Sequence, residues 1–299
     1  MNIIGRKKLY FLISLLVMLP GLVSLALYGL NLSIDFTGGS RMIISFSKNV
    51  SEEETKFISS DLEKRNIKVL SIEPSGKTAI VRTSPIDERQ NSEFNKDLKA
   101  KYREAIQEEF STIGPTIGGE TTRNAVKAVF FASLLVVVYI SLVFRSVPKP
   151  ASSIRFGIST IFALIHDVLV VVGVFSILGH FLSVEIDALF VTALLTIIGF
   201  SVHDTIVVFD RIRENLGKNV NASFAQVVND SILQTIGRSL NTSITVLLVL
   251  FALLLFGGES IRWFVVALIV GIASGTYSSI FNASPILVVW HEWSQRQSK

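Results

Sequence analysis

The chain has 299 residues, of which 49% are hydrophobic and 17% charged, with a mean hydropathy of +0.53. That balance is too apolar for a soluble domain of this length and points to a membrane protein. The net charge of +4 requires no nucleic acid, since basic residues at cytoplasmic helix ends give the same excess, and the lack of cysteine excludes disulfides, thiolate metal sites and cysteine nucleophiles.

Leu9 to Leu30 is the first apolar run long enough to cross about 30 Å of hydrocarbon at 1.5 Å per residue. A basic start and the small-x-small Ser24-Leu25-Ala26 would also suit a signal peptide, but the apolar stretch exceeds a usual h-region, so it is read as a span. From Asn31 to Ala125 the pattern changes to that of a small soluble α/β unit. Asp35-Phe36-Thr37-Gly38-Gly39-Ser40 lacks the lysine and the preceding strand of a phosphate loop and reads as a turn. Arg41 to Phe46 predicts a strand, and Ser51-Glu52-Glu53-Glu54 is a capping box opening a helix with Phe57, Ile58 and Leu62 on one face. Ile67 to Ile72 and Thr78 to Val81 predict two strands around a Pro74-Ser75-Gly76 turn. Phe94, Leu98, Tyr102, Ala105, Ile106 and Phe110 predict a second amphipathic helix, with a last strand near Thr116. The order suggests a split βαβ, ferredoxin-like domain, and its lack of histidine suggests binding or transmission rather than catalysis.

Five further spans follow: Val126 to Val147, Phe156 to Phe181, Ile186 to Phe209, Thr242 to Phe256 and Trp263 to Trp290, the fifth of the six continuing backward through Ser239 to Asn241. The expected fold is therefore a membrane α-helical bundle of six transmembrane helices with an extracytoplasmic α/β domain inserted between helices 1 and 2. The divisions are 1–30, 31–125 and 126–299. Arg6, Lys7, Lys8, Arg145, Lys149, Arg155, Arg211, Arg213, Lys218, Arg296 and Lys299 all fall on one side, which makes that side and both termini cytoplasmic; Arg262 dissents.

The polar residues inside these spans require explanation. An uncompensated Asp at the centre of a span costs about 2.5–3.5 kcal/mol, so Asp204 is a functional candidate whose partner must be found. Ser201, three residues earlier, shares its face, and His203 adjoins it. Asp167 follows His166 in the third span, where nearby hydroxyls such as Ser159 or Thr160 offer a purely structural partner. At the start of the fifth span, Arg238, Asn241, Thr242 and Thr245 stand at i, i+3, i+4 and i+7 and supply a cation and hydroxyls. A carboxylate that meets and leaves a guanidinium takes up and releases a proton, so Asp204, Arg238 and Asp167 are candidates for a proton relay. The last span carries Ala267, Gly271, Gly275, Ser279 and Ala283 at every fourth position, a stripe suited to close helix packing.

Several segments together resemble the SecF family, the smaller membrane subunit of the SecD and SecF accessory complex of bacterial protein export. They are Ile34 to Gly39, Gly114 to Gly118, His166-Asp167, Asp204 to Asn215, Arg238 to Ser243 and Gly275 to Ser279. The resemblance implies half of a resistance-nodulation-division fold completed by SecD, in the bacterial cytoplasmic membrane. It further implies work with the SecYEG channel on a translocating unfolded polypeptide, and a proton-conducting role for Asp204 and Arg238, without cofactor, metal or enzymatic activity. His203 departs from the family's usual Asn, and Gly118-Gly119-Glu120 is one glycine longer. Two other readings are a lipid or drug exporter half of the same superfamily, and an intramembrane metal enzyme using His166, Asp167, His203 and Asp204. The exporters normally carry both halves in one chain, and the offset of the two Asp residues along their spans strains a shared metal site.

Overall fold

The computed structural model describes residues 2–148, 151–218 and 221–297; Lys149 and Lys299, counted among the basic flanks, lie outside the described residues. The chain packs as two units, one of Met1–Asn31 with Val126–Lys299 and the other of Leu32–Ala125.

In the second unit the sequence patterns translate into the order α2 (Ile34–Thr37), β1 (Gly39–Ser45), α3 (Glu52–Lys64), β2 (Val69–Ser75), β3 (Thr78–Thr83), α4 (Glu88–Lys101) and β4 (Ile106–Ile113), after α1 (Lys7–Tyr28) of the first unit. The sheet order is β2-β3-β1-β4, with every paired neighbour antiparallel. Met42, Ile44, Val81, Ile58, Leu62, Phe94 and Leu98 form its buried core. The sheet begins after the second helix of the chain rather than directly after the first. The Asp35 segment expected as a turn instead forms α2, a single helical turn capped by the Ser33 hydroxyl on the Asp35 amide (3.2 Å). Gly38 leaves it at φ 71°, and the Gly118 position lies so close to the Gly38 amide that any side chain there would collide.

Two strand expectations shift. Pro74 and Ser75 belong to β2 and pair with Ala79 and Thr78, leaving Gly76 (φ 60°) and Lys77 as the turn. Proline is tolerated there because β2 is an edge strand. The second helix ends at Lys101, where Tyr102 turns to φ −120° and ψ 85°. Ala105 lies beyond it, and Ile106 and Phe110 lie on β4, not on a helix; Ile106 is 60% exposed, which a core-facing helix position would not be. The last strand is β4 rather than one near Thr116, which lies in a helix. Six apparent matches to a 3.6-residue period spanned a helix and a strand, and pairing with β1 decided the outcome.

The remaining helices are α5 (Pro115–Val143), α6 (Ser153–Leu182), α7 (Ala188–Lys218), α8 (Phe224–Phe256), α9 (Arg262–Ser278) and α10 (Ser284–Gln297). Among the described residues, six helical segments, with α9 and α10 counted as one, are long and apolar enough to cross a membrane. Helix α8 starts eighteen residues before Thr242, at Phe224, because Ser223 caps the Gln226 amide and Val227, Val228, Ser231 and Ile232 give this polar stretch a buried face. The last span is interrupted: Ser279–Ala283 form a π turn between α9 and α10. Pro285 accounts for it, since a residue without an N–H cannot continue the ladder behind it.

Close helix contacts position the polar interior. Glycines 21 and 173 put α1 and α6 backbone to backbone, an added Cβ on either falling 2.7 Å from the other's Cα. The stripe of the last span faces α7, with Gly271 against Ile197 and Gly275 against Ser201. Substituting leucine for Gly271 is expected to part α9 from α7 and to lower the unfolding midpoint of the solubilised protein, by a typical overpacking penalty of about 1–3 kcal/mol, measured by thermal unfolding. In the second unit, the Ser51 hydroxyl and then the Ser51 amide donate to Glu54 and hold its carboxyl below the usual carboxylate value. This stabilisation is present above the unfolded-state pKa and is lost as pH falls through the lower folded one. Glu54→Ala is expected to raise amide exchange across the first turn of α3 at neutral pH, and the difference from the parent should vanish in acid.

Candidate functional site

Among the buried polar residues of the first unit, Asp167 has the fullest set of partners. It is 1% exposed. Ser201 of α7 donates to it at 2.6 Å, Ser278 of α9 at 2.7 Å and Ser274 of α9 at 2.8 Å. His166 Nδ1 lies 3.1 Å from the same carboxylate, while His166 Nε2 is buried without a partner. One acid on α6 thus holds hydroxyls from two other helices. The nearby hydroxyls proposed from sequence do not take part: Thr160 donates to the Phe156 carbonyl, and Ser159 is buried without a partner. Both are too far back along α6, by two turns, to share the layer of Asp167.

Asp204 is equally buried, at 1% exposure, but its surroundings are sparser. Ser243 of α8 lies 3.4 Å from its carboxylate and 2.5 Å from the hydroxyl of Thr276 on α9. The layer between the two acids is joined by hydroxyls: Ser279 donates to the Ser201 carbonyl (3.0 Å) and shares a hydrogen bond with Thr205 (2.8 Å). Ser279 opens the π turn, so the loosened helical ladder lies in this polar layer. Just beyond, Ser14 of α1 donates to Asn282 (2.9 Å), and the Tyr277 hydroxyl donates to the Tyr10 carbonyl (2.8 Å).

The structure brings Asp167, Ser201 and Ser279 into one network with Asp204 beside it. It does not bring Arg238 to Asp204. Arg238 is exposed, as are Asn241 and Thr245, with Thr242 half-buried, and no carboxylate pairs with Arg238 among the described residues. The reason is rotational. Ser239 and Ser243, one helical turn apart, face α7 and α9, and the arginine face lies round the helix from them. His203 is exposed too, so the four His and Asp residues do not converge, and no group of three or more potential ligands able to hold a metal occurs among the described residues.

Sequence reasoning did not single out Ser243, Ser239, Ser274, Ser278, Thr276 or Asn282 as site residues. A signal was present for four of them: Ser274 and Ser278, and Ser239 and Ser243, are hydroxyl pairs at i and i+4 inside apolar spans. Hydroxyls in membrane helices usually bond their own backbone, and the spacing cannot distinguish that from bonds across helices.

Comparison with known proteins identifies the family. The family described as "Protein export membrane protein SecD/SecF, C-terminal" matches residues 93–293, and the "SecD/SecF GG Motif" matches residues 23–50. The protein translocase subunit SecF of Thermobaculum terrenum is 46% identical over 97% of this chain and 93% of its own length. The protein translocase subunit SecDF of Bacillus subtilis is 33% identical over 99% of this chain, which spans 38% of that longer protein. A crystal structure of SecDF from Thermus, titled a translocon-associated membrane protein, superposes with a TM-score of 0.83 at 34% identity, covering 98% of this chain and 39% of that one. With six apolar helices and near full-length matches of this kind, the chain is a multi-pass membrane protein that belongs to the SecD/SecF family of protein-export membrane proteins.

Proposed function

We propose that this chain, as an accessory subunit of Sec protein translocation, uses the proton gradient together with SecD to promote polypeptide export through, or release from, the SecYEG channel. The accessory role follows from its family. Association with SecD is supported by the relatives in which a SecD and a SecF part share one chain. The observation that carries the proton reading is the pair of acids, Asp167 and Asp204, the only ionisable side chains fully buried in the helical unit among the described residues. A proton crossing the membrane potential releases about 2.3 kcal/mol per 100 mV, comparable to the differences that bias a two-state conformational change.

In this reading Asp204, Arg238 and Asp167 form the relay, with His203, Ser201, Asn241, Thr242 and Thr245 in support. Asp204 takes a proton while parted from the guanidinium and gives it up when the arginine face approaches; Arg238 stays cationic throughout. The exposed arginine face of α8 is where the SecD half would complete the bundle. Both termini are cytoplasmic, in the bacterial cytoplasmic membrane. Residues 31–125 form an extracytoplasmic, ferredoxin-like domain between the first and second spans that handles the emerging unfolded chain, and residues 1–30 and 126–299 form the membrane part. Basic residues such as Arg6, Lys7, Arg155, Arg211 and Arg296, gathered on one side, support that orientation.

Asp204→Asn and Arg238→Ala are each expected to abolish gradient-dependent export in inverted membrane vesicles while the protein remains inserted and bound to SecD. Normal export by either would refute the relay. The two acids should differ in stability. Asp167→Asn replaces an acceptor of three hydroxyls with an amide that offers one oxygen, and should cost about 1.5–3 kcal/mol for the charged hydrogen bond lost. Asp204→Asn, whose carboxylate meets only the hydroxyls of Ser243 and Thr276, should cost less, about 0.5–1.5 kcal/mol in the same unfolding assay.

A further inference from the structure

The face of α8 that meets Asp204 does not stop at Ser243. Ser231, Thr235, Ser239 and Ser243 stand at every fourth position, and all four are buried in the interior of the unit. At one end Ser243 lies against Asp204. At the other, Asn215 of α7 donates to the Ser231 hydroxyl at 2.8 Å and to Gln234 at 3.0 Å; Gln234 is exposed and also accepts from Arg211, which is paired with Glu214. The row therefore runs from a buried acid to a polar, exposed end of the helix pair.

Back-bonding alone does not account for the row. Ser231 donates to the Val227 carbonyl and Thr235 to the Ser231 carbonyl, as hydroxyls in apolar helices commonly do. Ser239 does not: the residue is 1% exposed and its hydroxyl has no hydrogen-bond partner among the described residues. An orphan hydroxyl in an apolar interior costs about 1–3 kcal/mol, and water is the usual remedy where polar neighbours allow it. The spacing fits. Side chains at i and i+4 are about 5–6 Å apart, and one water bridging two oxygens spans about twice a hydrogen bond of 2.8 Å.

We propose that the hydroxyl row Ser243, Ser239, Thr235 and Ser231 is a water-bridged path that carries protons between Asp204 and the exposed end at Asn215 and Gln234. Ser239 is its least satisfied rung and holds water. Each oxygen along the row accepts a proton on one side and releases one on the other, so no rung changes net charge, and the only group that stores the proton is the Asp204 carboxyl. This path rests on the reading of Asp204 as a titrating acid, and adds the route.

The chain has no cysteine, so a single introduced thiol reports alone. In membranes holding the full chain with SecD, Ser239→Cys and Thr235→Cys should react with a small water-soluble methanethiosulfonate about tenfold faster than Ile232→Cys, a buried apolar position on the same helix. Equal, slow reaction at all three overturns the path. Ser239→Val, which fills the water position, should lower gradient-dependent export about tenfold, and Ser239→Gly, which leaves room for water, should stay within about twofold of the parent. Normal export by Ser239→Val, at equal membrane levels, also overturns it. Should the thiols react as expected while Asp204→Asn exports normally, the hydrated row stands and the relay falls.

Discussion

A carboxylate in the middle of the helical unit, accepting hydroxyls from two neighbouring helices, organises everything around it. Asp167 reaches Ser201 on α7 and Ser274 and Ser278 on α9, so three helices meet at one charge-accepting group. That arrangement demands close approach, because a serine side chain is short. Glycines 271 and 275 supply it by letting α9 lie directly on Ile197 and Ser201 of α7. The glycine stripe and the serine cage are one device seen from two sides: without the first, the hydroxyls would not reach the acid.

Asp204 is the contrasting case. It is as deeply buried, yet it meets fewer hydroxyls, Ser243 of α8 at 3.4 Å and Thr276 of α9, and the Arg238 cation is on another face. Well-satisfied polar groups in a low-dielectric interior fix a geometry, while poorly satisfied ones are free to change state. The same chain thus holds one acid that ties three helices together and one with fewer hydrogen bonds, and in the proposed relay both take part. The π turn at Ser279–Ala283 directly follows the stretch of α9, Ser274 to Ser278, that meets Asp167 and, through Thr276, the Ser243 hydroxyl beside Asp204. A helix whose ladder is already loosened there can shift against α7 at lower cost than a regular one.

Much of this was legible in the residues. Six spans, the capping box at Ser51 and the burial of the two acids follow from hydropathy, periodicity and the cost of burying charge. The six motifs from Ile34 to Ser279 were enough to indicate the family. Boundaries were less legible. Ala105, Ile106 and Phe110 continued a helical period by coincidence, and Pro74 read as a turn because a sequence cannot say that its strand lies at a sheet edge.

What the chain determined by itself is which residues must be hidden from lipid: an acid, a histidine and a series of hydroxyls in apolar helices have to find one another, and so they mark a site. Which of them meet was decided only by packing. Rotation of α8 by about 140°, well over a third of a turn, separates presenting Arg238 from presenting Ser243 to Asp204, and that rotation is set by contacts of the whole helix with α7 and α9 rather than by the local spacing of its polar residues. Periodicity gives the faces of a helix; only neighbours choose which face turns inward.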